Sequence, residues 1–186
     1  SLTNSAVFQK QNVTNVTRRN FISSCSACAA CLALAPLAIT GNSCSSGRSG
    51  KKMRIRILYS LHEPVQTKPD WPNVGFDFNP HMERITTSLI KQFPDFEFIP
   101  AMANGPEEAG KIVEKDVTDM IDGYIVYQMN CWNQVVQAIA KTGKPVLYAD
   151  FQFGGSGGFL VYTAGFLRQN TDNVGFVASS QIDDLF

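Results

Sequence analysis

With 186 residues, the chain has room for one domain and a short extension but not for two full domains. Its zero net charge hides an asymmetry: no Asp or Glu precedes Glu63, and from there on 16 acidic residues face 8 basic ones, a net −8. A body that acidic, with no basic-aromatic patch, argues against a nucleic-acid partner, whose phosphates require clustered Lys and Arg.

Residues 1–16 are polar and uncharged apart from Lys10, and they lead into Thr17, Arg18, Arg19, Asn20, Phe21 and Ile22. Phe21 to Ile39 follows as an uncharged, weakly apolar run of Ala, Cys, Ser and Leu, suited to the h-region of a signal peptide rather than to a stable membrane span. Paired Arg18 and Arg19 before Phe21 and this run resemble the twin-arginine export signal, with Ile22 where Leu is usual and Ser23 where Lys often sits. The resemblance implies the twin-arginine translocase as a partner and an exported, periplasmic protein. Residues 1–43 are then the removable signal, cut near Thr40 to Ser43, and 44–52 a Ser, Gly and Lys linker. An ordinary N-terminal helix is the alternative, but a buried helix rarely lacks any polar face.

Cys25, Cys28, Cys31 and Cys44 all fall in this leader. Their spacing has the form of an iron–sulfur ligand run, yet cluster loops are polar and glycine-bearing whereas these cysteines sit among alanines. Gly41, Asn42 and Ser43 make a poor approach to a lipidated Cys44. Cys131 is left as the one cysteine of the mature body, so no disulfide forms within it. The sequons at Asn12 and Asn15 precede the mature protein.

The body, 53–186, reads as strands alternating with helices. Met53 to Ser60 is the first strand. His62 to Asn79 is long for a strand-to-helix loop and carries Trp71, Pro72, Phe76 and Phe78, which marks a lid or interface loop; its Asp70, Asp77 and His62 are candidate polar contacts against a solvated background. Pro80 opens a helix with Asn79 as cap and Met82, Ile85, Leu89, Ile90 and Phe93 as buried stripe. His81 and Glu83 in its first turn lack the i, i+4 spacing of a metal pair. Phe96 to Pro100 is the second strand and Pro106 to Thr118 the second helix, its Glu107 and Glu108 matching the helix dipole.

Ile121 to Gln128, Trp132 to Lys141 and Pro145 to Ala149 then form a strand–helix–strand unit ending on Asp150, and Phe159 to Arg168 and Val174 to Ala178 add a helix and a fifth strand. This alternation gives an α/β fold: a doubly wound, flavodoxin-like (Rossmann-like), parallel five-stranded sheet in a three-layer αβα arrangement, strand order 2-1-3-4-5. A further helix starts at Asp183, Asp184, Leu185 and Phe186, so the domain is expected to continue past the end of this sequence.

Ligands of such a sheet collect where the strands end, here at Ser60 to Glu63, Gln128 to Trp132 and Asp150 to Gly158. Gln128, Asn130, Asn133 and Gln152 with Trp132 offer amides and an aromatic face, as a sugar's hydroxyls and its apolar C–H face require; amides that merely cap the helix are the alternative. Gly154, Gly155, Ser156, Gly157 and Gly158 precede a helix and form a candidate anion loop, though no Lys follows as in a P-loop; a hinge is the alternative. His62 completes the candidate substrate contacts. No nucleophile–base pair or metal cluster stands out, so no cofactor is expected within the chain.

The run "DGYIVYQMNCWNQ…GKPVLYADFQF" resembles the N-terminal α/β domain of the L-arabinose and L-fucose isomerase superfamily over roughly Met53 to Ser180. Trp132 matches that family's loop tryptophan and Gln152 the glutamine after the second strand of the unit. The resemblance implies aldose–ketose isomerisation, with Mn²⁺ held in the full-length protein by Glu, Asp and His of later domains. This chain departs from the cytosolic enzymes by its export signal. Sugar-binding periplasmic proteins share part of the pattern, so a two-lobed binding protein, or a non-catalytic carbohydrate-binding relative, is the alternative; association into a homo-oligomer stays open.

Overall fold

The structure is a computed structural model that describes residues 51–179. The export signal at Arg18, Arg19 and Phe21, the leader cysteines and the helix start at Asp183 lie outside the described residues.

Five strands, β1 (Met53–Ser60), β2 (Phe96–Ala103), β3 (Gly123–Gln128), β4 (Val146–Asp150) and β5 (Val174–Val177), form one all-parallel sheet in the order β2-β1-β3-β4-β5. Four helices join them: α1 (Asn79–Gln92), α2 (Pro106–Thr118), α3 (Val135–Ala140) and α4 (Ser156–Arg168). Helix α1 covers one face, packing Met82, Ile85 and Leu89 on Ile57, Tyr59 and Ile125. Helices α2 to α4 cover the other, where Ala109, Val135, Ile139 and Phe159 meet Leu58, Val126 and Tyr148. This is the doubly wound, three-layer architecture expected from the alternation. Strand β3, central and buried at every residue, carries the β-branched and aromatic content that a strand covered on both faces requires. Among the described residues no helix is long and apolar enough to cross a membrane.

The differences in detail have local causes. Strand β2 runs through Pro100 to Ala103, because it is an edge strand and an edge tolerates the missing N–H of proline. Helix α3 starts at Val135 rather than Trp132, since Trp132 and Gln134 hold positive φ values of 66° and 55°, which a right-handed helix excludes. Helix α4 starts at Ser156, three residues earlier than expected, with its glycines inside the first turn. Asn79 is not the cap of α1: Phe78 holds that position, and the Asn79 backbone N–H donates to Asp77 Oδ1 at 2.9 Å. Ile90 is exposed and does not belong to the buried stripe.

The long loop after β1 is a pinned excursion rather than a free lid. Val65 and Asp77 pair antiparallel, Gln66 N–H donates to Phe76 O at 2.9 Å, and Phe78 N–H donates to Pro64 O at 2.9 Å. Phe78 is fully buried, and Phe76 sits against Phe151 and Phe153.

Candidate functional site

The C-terminal ends of parallel strands share one edge, and the three expected loops meet there. Met129 N–H donates to Ser60 O at 2.9 Å, His62 N–H to Asn130 Oδ1 at 3.0 Å, and Cys131 Sγ to Gly154 O at 3.3 Å. The loops after β1, β3 and β4 are thereby tied into one surface.

Gln128, Asn130 and Asn133 do the tying. All three are buried. Tyr148 donates to Gln128 Oε1 at 2.6 Å, while Gln128 Nε2 donates to Asn133 Oδ1 at 2.9 Å and to Asn130 O. Asn133 Oδ1 also accepts from Ser60 Oγ at 2.6 Å, and Asn130 Nδ2 donates to Trp71 O at 2.7 Å. These amides neither face solvent nor cap α3. They satisfy buried backbone and hydroxyl groups and fix the loops, although Asn133 Nδ2 itself is buried without a partner.

What faces solvent is aromatic. A cleft of about 340 Å³ is lined by Trp71, Trp132, Gln152 and Phe153, with Cys131, Gly154, Ser156 and Gly157 as floor. Trp71 is 70% exposed, Trp132 62% and Phe153 44%, an unusual outlay of large apolar side chains around one concavity. Trp132 stands edge-on to Tyr162 at 6.4 Å between ring centres, and its positive φ marks a backbone held out of the ordinary regions, as recurs at ligand sites. The sequence pointed to Trp132 and Gln152, and to Trp71 as a loop residue. It missed Phe153. The available signal was the F-Q-F run after β4, in which Phe151 turns into the core and Phe153 out to the cleft.

His62 is not brought to this cleft. It stands in a neighbouring polar hollow of about 300 Å³ with Glu63, Lys68 and Asp70, its Nδ1 3.0 Å from Asn104 Oδ1 and its Nε2 3.4 Å from Asp70 Oδ2.

The glycine-rich loop serves packing before anything else. A Cβ on Gly155 would lie 1.7 Å from Gln128 O, and one on Gly154 would lie 2.7 Å from Met129 O. Three inward amides are already used: Gly154 and Gly155 N–H donate to Phe151 O at 3.0 and 2.9 Å, and Gly158 N–H to Cys131 Sγ at 3.4 Å. The expected anion loop therefore lacks those donors, and a hinge would lack the freedom. Ser156 Oγ donates to the Asp150 carboxylate at 2.8 Å.

Burial raises the Asp150 carboxyl above its usual range, against the lowering effect of the Ser156 hydroxyl and the Phe151 backbone N–H. An acid whose folded-state value is raised loses its proton first in the unfolded chain, so this group makes stability fall as pH rises through the carboxylate range. Asp150→Asn is expected to narrow that fall, and urea titrations of both proteins between acid and neutral pH check it. A parallel pH dependence in the two would show that Asp150 carries no part of it.

No family model matches the chain, and no curated protein matches it. The chemistry open to the edge follows from its own groups. Cys131 is buried, with its sulfur between Gly154 O and the Gly158 N–H. Burial, and then the nearby Asp150, push the Tyr127 hydroxyl up to about 12, out of reach as a base near neutrality. Among the described residues no three His, Cys, Asp or Glu side chains gather into a group that could hold a metal. What the edge presents to solvent is exposed aromatic faces beside the Gln152 amide.

Proposed function

We propose that the chain is the N-terminal, substrate-proximal domain of an exported sugar-isomerase-like protein, supplying sugar contacts while metal and catalytic groups come from elsewhere in the full-length protein. The observation that carries this reading is the cleft itself: Trp71, Trp132 and Phe153 around Gln152 at the C-terminal edge of a doubly wound sheet. Aromatic faces suit the apolar C–H face of a pyranose, and an amide supplies a donor and an acceptor for its hydroxyls. Trp132 and Gln152 are also the two positions matched to the isomerase family within the run that carries the resemblance.

Trp132→Ala tests the assignment. Because the side chain is mostly exposed, its loss leaves no core cavity, so thermal stability should stay near wild type while affinity for an aldose falls by about 1 kcal/mol, roughly fivefold in Kd. Unchanged affinity, measured by calorimetry, would remove the tryptophan from the site. A two-lobed sugar-binding protein would instead bind free sugar tightly without metal and close on it. Export is tested separately: with Arg18 and Arg19 both replaced by Lys, the precursor is expected to stay in the cytoplasm, and normal export of that variant would refute the twin-arginine reading.

A further inference from the structure

Two concavities open side by side at the C-terminal edge. The aromatic cleft presents three exposed side chains, Trp71, Trp132 and Phe153, whereas a single pyranose has only two faces to set against them. The polar hollow beside it, of about 300 Å³, is lined by His62, Glu63, Lys68, Asp70 and Asn104 among others. Each volume stands near the lower end of the roughly 300–1,000 Å³ of small-molecule sites. A larger apolar groove, of about 540 Å³ and lined mainly by Leu89, Phe93, Ile125, Leu147 and Gly175, reaches the starts of β3, β4 and β5 at the other end of the sheet and takes no part.

Two side chains hold the cleft and the hollow in fixed relation. Asp70 accepts the Trp71 N–H on Oδ1 at 2.8 Å and meets His62 Nε2 with Oδ2 at 3.4 Å. Asn130 accepts the His62 N–H on Oδ1 at 3.0 Å and donates from Nδ2 to Trp71 O at 2.7 Å. A ligand that leaves the cleft over the Trp71 backbone therefore enters the hollow. Donors and acceptors are unevenly matched there. His62 Nδ1 lies 3.0 Å from Asn104 Oδ1, which only accepts, so Nδ1 carries the ring proton, and in the neutral ring Nε2 turns a lone pair toward the Asp70 carboxylate. Two acceptors facing each other across 3.4 Å make no hydrogen bond of their own, and a pair of sugar hydroxyls supplies the protons that both lack. Lys68 and the Asn104 amide, on the same walls, are donors for the hydroxyl oxygens.

We infer that the cleft and the hollow are two subsites of one site whose ligand is a saccharide of at least two sugar residues, one ring against the aromatic side chains and the next with its hydroxyls on His62, Asp70, Lys68 and Asn104. The inference rests on the cleft being a sugar site, and the test separates the two. Calorimetry on the full chain compares glucose with maltose and cellobiose, and galactose with lactose. A disaccharide should bind about tenfold more tightly than its monosaccharide, as one added hydrogen bond to a charged group would give. His62→Ala should erase that advantage and leave monosaccharide affinity in place, whereas Trp132→Ala should weaken both. Lys68→Ala, at an exposed side chain, should lower the disaccharide affinity alone, and it reads the hollow without disturbing the His62 contact to Asp70. A monosaccharide that binds as tightly as every disaccharide, or a disaccharide advantage untouched by both His62→Ala and Lys68→Ala, would overturn the second subsite and leave the sugar cleft standing. If no sugar binds, the cleft reading falls and this inference falls with it.

Discussion

Gly155→Ala should destabilise the domain more than any other glycine substitution, by about 3 kcal/mol or more. The added Cβ would lie 1.7 Å from Gln128 O and 2.6 Å from Gln128 C, and both are backbone atoms of the buried central strand that cannot swing aside. The φ of Gly155 is −92°, which any residue adopts, so the demand is for space rather than for conformational freedom. Its neighbours give the scale. Gly157→Ala meets only Cys131 Sγ at 3.3 Å and should cost little, while Gly165→Ala, in open space within α4, should be neutral to slightly stabilising. Urea unfolding of the three variants checks the order. A tolerated Gly155→Ala would mean that the loop after β4 moves freely against β3, and the fixed cleft would fail with it.

Asp116→Ala is the second large effect. Arg56 on β1 and Asp116 on α2 form an ion pair with side chains only 5% and 1% exposed, Arg56 Nε lying 3.0 and 3.3 Å from the two carboxylate oxygens. Arg56 also donates to Ile99 O at 3.3 Å and approaches Asp119 Oδ2 at 3.5 Å. Removing Asp116 leaves a guanidinium inside the fold with only these longer contacts, and the expected loss is about 3–5 kcal/mol. Replacing both partners by apolar residues, Arg56→Met with Asp116→Leu, removes the stranded charge and should restore much of the stability. Denaturation midpoints of the single and double variants decide it: a double variant as unstable as Asp116→Ala would show that the cost lay in packing rather than in the unpaired charge.

The ion pair illustrates what the sequence does not expose. Arg54 and Arg56 sit in an alternating strand pattern, and nothing in MRIRILYS distinguishes a solvated arginine from one turned beneath a helix. Asp116, within an acidic and basic helix, looks equally solvated; only the approach of α2 to β1 buries both. The order of the five strands was legible, because apolar period, strand–helix alternation and the handedness of crossovers leave few topologies. The edge at which the loops after β1, β3 and β4 meet was legible for the same reason. The roles of the amides were not. Gln128, Asn130 and Asn133 have the composition of a sugar-binding array, but whether an amide meets a ligand or a backbone carbonyl depends on which way the loop turns, and the left-handed residues Trp132 and Gln134 set that turn. The glycines misled in a related way: a loop rich in them reads as an anion cradle or a hinge, whereas Gly154 and Gly155 are required where α4 enters against β3.

The chain contains two tryptophans, Trp71 and Trp132, and both line the cleft. Their two indole N–H signals in a ¹H–¹⁵N spectrum therefore report on the candidate site directly. Titration with an aldose in the absence of metal should move both signals saturably while amide signals of the apolar groove, such as Gly175 and Ile125, stay in place. If neither indole signal moves at any soluble sugar concentration, or if the shifts appear only around the groove, the cleft is not a carbohydrate site and the central claim is wrong.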